Sequence, residues 1–237
     1  MTQDELADRV GVTRGYIAGI EMGRANPTLD VVAMIAAALD LEVDWQIRPP
    51  IVHDSGQARD LVHARCSAYV DRRLRAAGLL TAREVEIIHA RSHGWIDLLA
   101  YDPDSSGLLL IEVKTRIDDL GALERQISWY ERSALAAAHR LGWRPVRVAT
   151  WLVVLASAEA DAGIHAHRSV FDGAFPVRAH EALRWLGNRG EAPSGRVLAM
   201  IDPRSRRRDW LIRTRSDGRR TDPPYRNMRE AAQRLAS

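Results

Sequence analysis

The run Arg48-Pro49-Pro50 constrains this chain more than any other feature. Proline offers no main-chain donor and steers the preceding residue away from helical geometry, so neither a helix nor a central strand continues through two in succession. With Asp54-Ser55-Gly56 it marks a linker over residues 49–56. The 237 residues therefore divide into a short domain, 1–48, and a longer one, 57–200, followed by an Arg-rich extension over 201–237. Hydrophobic residues make up 46% of the chain, enough for packed cores and too many for general disorder. The longest apolar run, Val31 to Leu39, is too short for a bilayer, and no basic-then-apolar leader opens the sequence. Cys66 is the only cysteine, which excludes a disulfide framework and a thiolate zinc cage. A soluble, cytoplasmic protein with no membrane contact is expected.

Charge is unevenly spread. Residues 1–52 carry 4 basic and 8 acidic side chains, net −4, whereas residues 161–237 carry 16 and 9, net +7. The C-terminal arginines, Arg206, Arg207 and Arg208 foremost, are expected to meet a polyanion backbone. Of 34 basic side chains 33 are arginine, and Lys114 is the one lysine. A chain that uses arginine wherever charge suffices keeps lysine where a compact, adjustable ammonium is required.

Residues 2–23 read as two helices. Thr2 can cap the first, which carries Leu6, Ala7 and Val10 on one face; Gly11 supplies the turn; Thr13 caps the second, whose Ile17 and Ile20 face Ala7 and Val10. Asn26-Pro27-Thr28 opens a third helix through Leu39, and Leu41 to Ile47 alternates like a strand that could pair with its copy in a homodimer. The TQxELAxxxGV, IxxIExG and NPTL elements resemble the phage-repressor (xenobiotic-response) helix-turn-helix family. That resemblance implies DNA as partner, Gln3 at a phosphate, Thr13 opening the recognition helix, and Arg14, Gly15, Tyr16, Ala18 and Gly19 facing the groove. The sequence starts inside what the family uses as its second helix, and Gly15 and Gly19 offer little side chain for base contacts.

Beyond the linker the order is helix, strand, strand, strand, helix, strand. Val62, Cys66, Val70 and Leu74 mark a helix over 57–78. Glu84–Ala90 and Trp95–Tyr101 read as strands around a His93-Gly94 turn, then Leu108–Ile111 as a third. Asp118 or Asp119 can cap a long helix with stripe Leu120, Leu123, Ile127, Ala134 and Leu141, and Arg147–Ala156 reads as a buried parallel strand. In a period-two strand Glu112 and Lys114 share a face, and a pairing strand can bring Asp97 beside Glu112. Two adjacent carboxylates repel, and a hard divalent cation relieves that; oxygen ligation suits Mg²⁺ or Mn²⁺.

This pattern resembles the PD-(D/E)XK nuclease superfamily, with Ile96 where proline often stands. The resemblance implies a restriction-endonuclease-like α/β core, a central mixed sheet flanked by helices, beside the small all-α helix-turn-helix. It implies Asp97 and Glu112 as metal ligands, Val113 lending its carbonyl, and Lys114 orienting or activating water. Gln126 and Tyr130 match the QxxxY pair of the RecB-type branch, and at i, i+4 they share a helix face. The helix-borne acid is open among Asp60, Asp71, Glu84 and Glu86. Trp95 and Trp129 fall nearest the site, and burial is favoured over base stacking for both. Lys114 is in no GxxxxGK loop, GxSxG and HExxH are absent, and His165 and His167, which could ligate a metal, read rather as isolated surface or satisfied core histidines.

Two functions remain open: Mg²⁺-dependent DNA cleavage recruited by the helix-turn-helix, or a transcriptional regulator whose nuclease-like domain only binds or dimerises. A third, weaker one is an antitoxin-like partner protein. With the family's first helix lacking, residues 1–52 expressed alone are expected to fold poorly; a cooperative thermal melt of that fragment by circular dichroism would contradict this.

Overall fold

The structure, a computed structural model, describes residues 1–41, 43, 53–89, 92–188 and 195–236, with backbone alone for 53–58, 89 and 92. It divides into two compact units, Met1–Pro50 and Ile51–Ser237.

In the first unit α1 (Gln3–Val10) begins in a capping box, Thr2 accepting from the Glu5 N–H and Glu5 from the Thr2 N–H. Gly11, at φ 72°, ends it in a left-handed turn that a side chain would oppose. Thr13 caps α2 (Arg14–Glu21), and Thr28 caps α3 (Leu29–Ala38). Leu6, Ala7, Val10 and Ile17 are buried together against Val31 and Ile35. Ile20, expected to share that core, is only half-buried and lies outside it. The expected strand 41–47 falls largely outside the described residues.

The second unit is a six-stranded mixed sheet between two helical layers, in the order β1-β2-β3-β4-β6-β5. The helix α4 (His53–Ala76) leads into β1 (Leu80–His89), β2 (Ser92–Asp102) and β3 (Gly107–Lys114), an antiparallel meander. After α5 (Leu120–Arg140), capped by Asp119, β4 (Arg147–Leu155) returns parallel to β3. Then come α6 (Ala158–Ala166), α7 (Arg168–Ala174), the two-residue β5 (Val177–Arg178), α8 (Ala179–Asn188), β6 (Arg196–Ile201) and α9 (Met228–Ala236). Strand parity sorts the core. On β3, Leu109, Ile111 and Val113 pack with α4, α8 and α9, while Leu108 and Leu110 face α5. Such burial on both faces is what parallel central strands require. Among the described residues no helix is long and apolar enough to cross a membrane.

Three expectations need correction. The predicted His93-Gly94 turn lies inside β2, where Gly94 pairs with Ile87. The glycine answers a close approach instead: a Cβ there would stand 2.5 Å from the Trp129 ring and 3.3 Å from Tyr130. The C-terminal stretch is also no separate extension. Trp210, Leu211, Tyr225, Ala231 and Leu235 are buried in the core that α4 covers, and Ile212 pairs with Met200. Nor do residues 53–56 belong to a linker, since α4 begins at His53.

Trp210, Leu211, Tyr225 and Leu235 contribute about 2 kcal/mol each by burial, a sum comparable with the stability of a whole domain. A chain ending after Ile201 is expected to lose cooperative unfolding of the second unit, read by thermal circular dichroism. Wild-type melting of that truncation would show the segment to be dispensable.

Candidate functional site

The site begins with a fault in the sheet. The β1–β2 ladder runs regularly except between Arg83↔Leu98 and Val85↔Ile96, where Glu84 holds a left-handed φ of 51°. Across this fault the facing of β2 shifts by one residue: Ile96 packs on the α5 side and Leu98 on the α4 side. An unbroken strand would put both on one face. Asp97, between them, is turned toward β3, which loses its β2 partner beyond Leu98↔Ile111. The Asp97 carboxylate takes over there, its Oδ2 accepting the Val113 N–H at 2.7 Å.

Glu112, on the α5-facing side of β3, is 1% exposed. Its Oε1 accepts from Lys114 Nζ at 2.5 Å, and its Oε2 is buried with no partner. Burial, reinforced by the negative charge of Asp97, pushes the Glu112 carboxyl up to about 7, against the pull of Lys114. Gln126 donates to the Tyr130 hydroxyl at 2.7 Å on α5, and the Tyr130 phenol is raised by burial and feels Glu112, Lys114 and Asp97. Asp97, Glu112, Lys114 and Tyr130 thus fall within electrostatic reach of one another, and Gln126 joins them through its hydrogen bond to Tyr130.

The side chain from α4 that meets Asp97 is a histidine, not one of the expected acids. His63 Nε2, on α4, lies 3.3 Å from Asp97 Oδ1 and 3.2 Å from the Val113 carbonyl. Its hydrogen bond to Asp97 raises its pKa above the ordinary imidazole value. None of the four acids considered from sequence takes this place. Asp60 is exposed, Asp71 binds Thr81 and Arg75, Glu84 is exposed at the fault, and Glu86 pairs with His93. His63 had a signal: it borders the Val62, Cys66, Val70, Leu74 stripe at i−3 from Cys66, where a polar side chain reaches the edge of the core. Cys66 is core, with burial raising its thiol to about 12.

The donor set fits a hard cation. Glu112 Oε2 is a buried acceptor without a donor, and the carboxylates of Glu112 and Asp97 offer the oxygen ligands such an ion takes. Among the described residues no group of three or more His, Cys, Asp and Glu side chains is placed to hold a metal. An ion bound by Glu112 and Asp97 would therefore complete its shell with water, as Mg²⁺ commonly does.

Around the site, Trp129 is partly buried against Tyr130, whereas Trp95 is 50% exposed beside His93, contrary to the burial expected for both. His165 contacts Ser216, and His167 is exposed at the α6–α7 junction. In the first unit Gln3 bonds Glu21, Thr13 serves as cap, and Arg14 and Gly15 are exposed, Arg14 beside Asp4. Tyr16 and Ala18 are half-exposed. Gly19 does not serve the groove-facing surface alone; its carbonyl accepts from Arg24 and Ala25, and a Cβ would meet Ala25 at 3.2 Å. Arg206, Arg207 and Arg208 are exposed, while the Arg207 and Arg208 carbonyls are held by Arg73.

Residues 1–46 match a family of helix-turn-helix domains. An uncharacterised helix-turn-helix transcriptional regulator of Methanothermobacter thermautotrophicus is 52% identical over 42 residues. That match takes in 18% of this chain, which spans 61% of the relative's length. The first unit is thus a helix-turn-helix domain, followed by an α/β unit with a mixed six-stranded sheet.

Because the folded Glu112 value lies above the unfolded one, the neutral carboxyl stabilises the fold below about pH 4, and that contribution fades as pH rises through about 7. The full loss is roughly 3 kcal/mol. In EDTA, Glu112→Gln is expected to melt several degrees above wild type at pH 8, with the gap closing toward pH 4. An equal gap at both values would mean that no buried carboxylate is being relieved.

Proposed function

We propose that this chain is a DNA-binding protein whose second unit hydrolyses phosphodiesters with Mg²⁺ or Mn²⁺, the helix-turn-helix bringing it to DNA. The observation that carries this reading is Glu112: a buried carboxylate near the C-terminal end of a central strand, with an oxygen left unpartnered, between Asp97 and the chain's one lysine. Structural carboxylates are rarely left so; buried charge is tolerated where it is used. A cation held by Glu112 and Asp97 supplies Lewis-acid polarisation of a phosphoryl oxygen.

The residues of the chain have separate tasks. The ammonium of Lys114, a quarter exposed, can orient a water and offset charge that develops on the phosphate. His63 and the Val113 N–H fix the two Asp97 oxygens, so that carboxylate is preorganised. Gln126 fixes Tyr130, whose hydroxyl stands toward the same charges.

A second reading has its own support. Lys114 closes on Glu112, and His63 engages the Val113 carbonyl, so the groups satisfy one another in part. The relative of the first unit is a transcriptional regulator by name. On this reading the second unit binds or dimerises without cutting.

Nicking of supercoiled plasmid with Mg²⁺ or Mn²⁺ separates them. Cleavage that falls by about a hundredfold or more in Lys114→Ala and Glu112→Ala, with DNA binding retained, is the expected result. A wild type that never nicks but protects a defined site from footprinting would establish the regulator.

A further inference from the structure

On the side of α4 away from the sheet, two adjoining clefts of about 450 and 660 Å³ share Arg72, Pro203 and Arg204 as a common wall. Arg65 and Ala68 extend the first, and Arg206 with Tyr69 closes the second. No carboxylate lines either cleft. The nearest acids are engaged elsewhere: Asp202 by the Tyr225 hydroxyl and the Arg204 N–H, Glu230 by Arg234, and Asp71 by Arg75 and Thr81. The guanidiniums of Arg65, Arg72, Arg204 and Arg206 have no hydrogen-bond or ion-pair partner among the described residues, though Arg72 lies over the Tyr69 ring at 5.7 Å.

The segment that presents Arg204 and Arg206 is pinned. Tyr69 donates to the Ser205 carbonyl at 3.0 Å, and Arg73 Nη2 donates to the Arg207 and Arg208 carbonyls. The Arg207 N–H bonds Ser205 Oγ, and Pro203 fixes the turn. A merely solvating charged loop needs none of this. Here the backbone is ordered in advance while the charged heads stay open, which lowers the entropy lost on binding a ligand.

We propose that these clefts form a track for the sugar-phosphate backbone of a nucleic acid, independent of the helix-turn-helix and of base sequence. Two features favour a strand over a small anion: the clefts share a wall and so continue into one another, and Arg65 and Arg72 stand two turns apart on one helix face, about 10 Å, with small Ala68 between them. Arg72 lies nine residues beyond His63 on α4, half a turn out of phase, so the track is on the opposite face of that helix from the side chain that meets Asp97. The binding rests on the clefts alone; the reading of the chain as a DNA-binding protein is what makes a nucleic acid the expected strand.

The test uses the full chain in EDTA with a fluorescein-labelled duplex of arbitrary sequence, followed by anisotropy between about 50 and 200 mM NaCl. In Arg65→Ala/Arg72→Ala/Arg204→Ala/Arg206→Ala, the slope of log affinity against log salt is expected to fall by about three to four, and affinity by tenfold or more at the low-salt end. The same loss is expected in an Arg14→Ala/Tyr16→Ala background, and an unchanged thermal melt shows that folding is intact. Lysine at the four positions should restore most of the slope. An unchanged slope overturns the proposal. So does displacement of the duplex by inorganic pyrophosphate far below the NaCl of matching ionic strength, which would mark a small-anion pocket. Neither cleavage nor a recognised site enters this assay, so its failure is distinct from a failure to nick or to footprint.

Discussion

Where β2 parts from β3, the Val113 N–H would be a buried donor with no acceptor, and the Asp97 carboxylate supplies one. The rest of the site depends on that substitution. It needs the fault opposite Glu84, because only a strand whose facing has shifted by one residue turns Asp97 into the plane of the sheet. It brings a fixed negative charge near Glu112, and it offers His63 an oxygen at the edge of α4. A side chain that completes a ladder is held by the whole sheet, so Asp97 has little freedom to relax away from its neighbour.

That arrangement sets stability against chemistry. Hydrophobic residues surround Glu112 along β3, and an ionised carboxylate there is poorly solvated. The strand would be more comfortable with an uncharged residue. Carrying a buried acid in a central strand makes structural sense when the free energy it withholds from the fold is released on binding something positively charged.

Much of this was legible in the residues, because it follows from local rules. Thr2, Thr13 and Asp119 announce helix starts by capping chemistry, and parity along Leu108 to Lys114 places Glu112 and Lys114 on one face. What escaped depends on residues distant in sequence. Gly94 gives the same local signal whether it serves a turn or a close approach, and only Trp129 decides between them. His63 looks like a helix-edge polar residue until the sheet order puts Val113 beneath it. The C-terminal arginines hide Trp210, Leu211 and Tyr225, since composition averaged over a basic stretch conceals a few well-placed apolar anchors. Ile20 fits the helical pattern but stays half-buried, outside so small a core.

The lysine–glutamate contact has a practical side. Lys114 carries the chain's one side-chain amine, and it sits 2.5 Å from the carboxylate of most interest. Amine-selective reagents, isotope labelling of lysine methyl groups after reductive alkylation, or a lysine-directed crosslinker would all report on this spot with no competing signal from other side chains. Few proteins hand the spectroscopist a solitary handle of this kind at the place where its electrostatics matter.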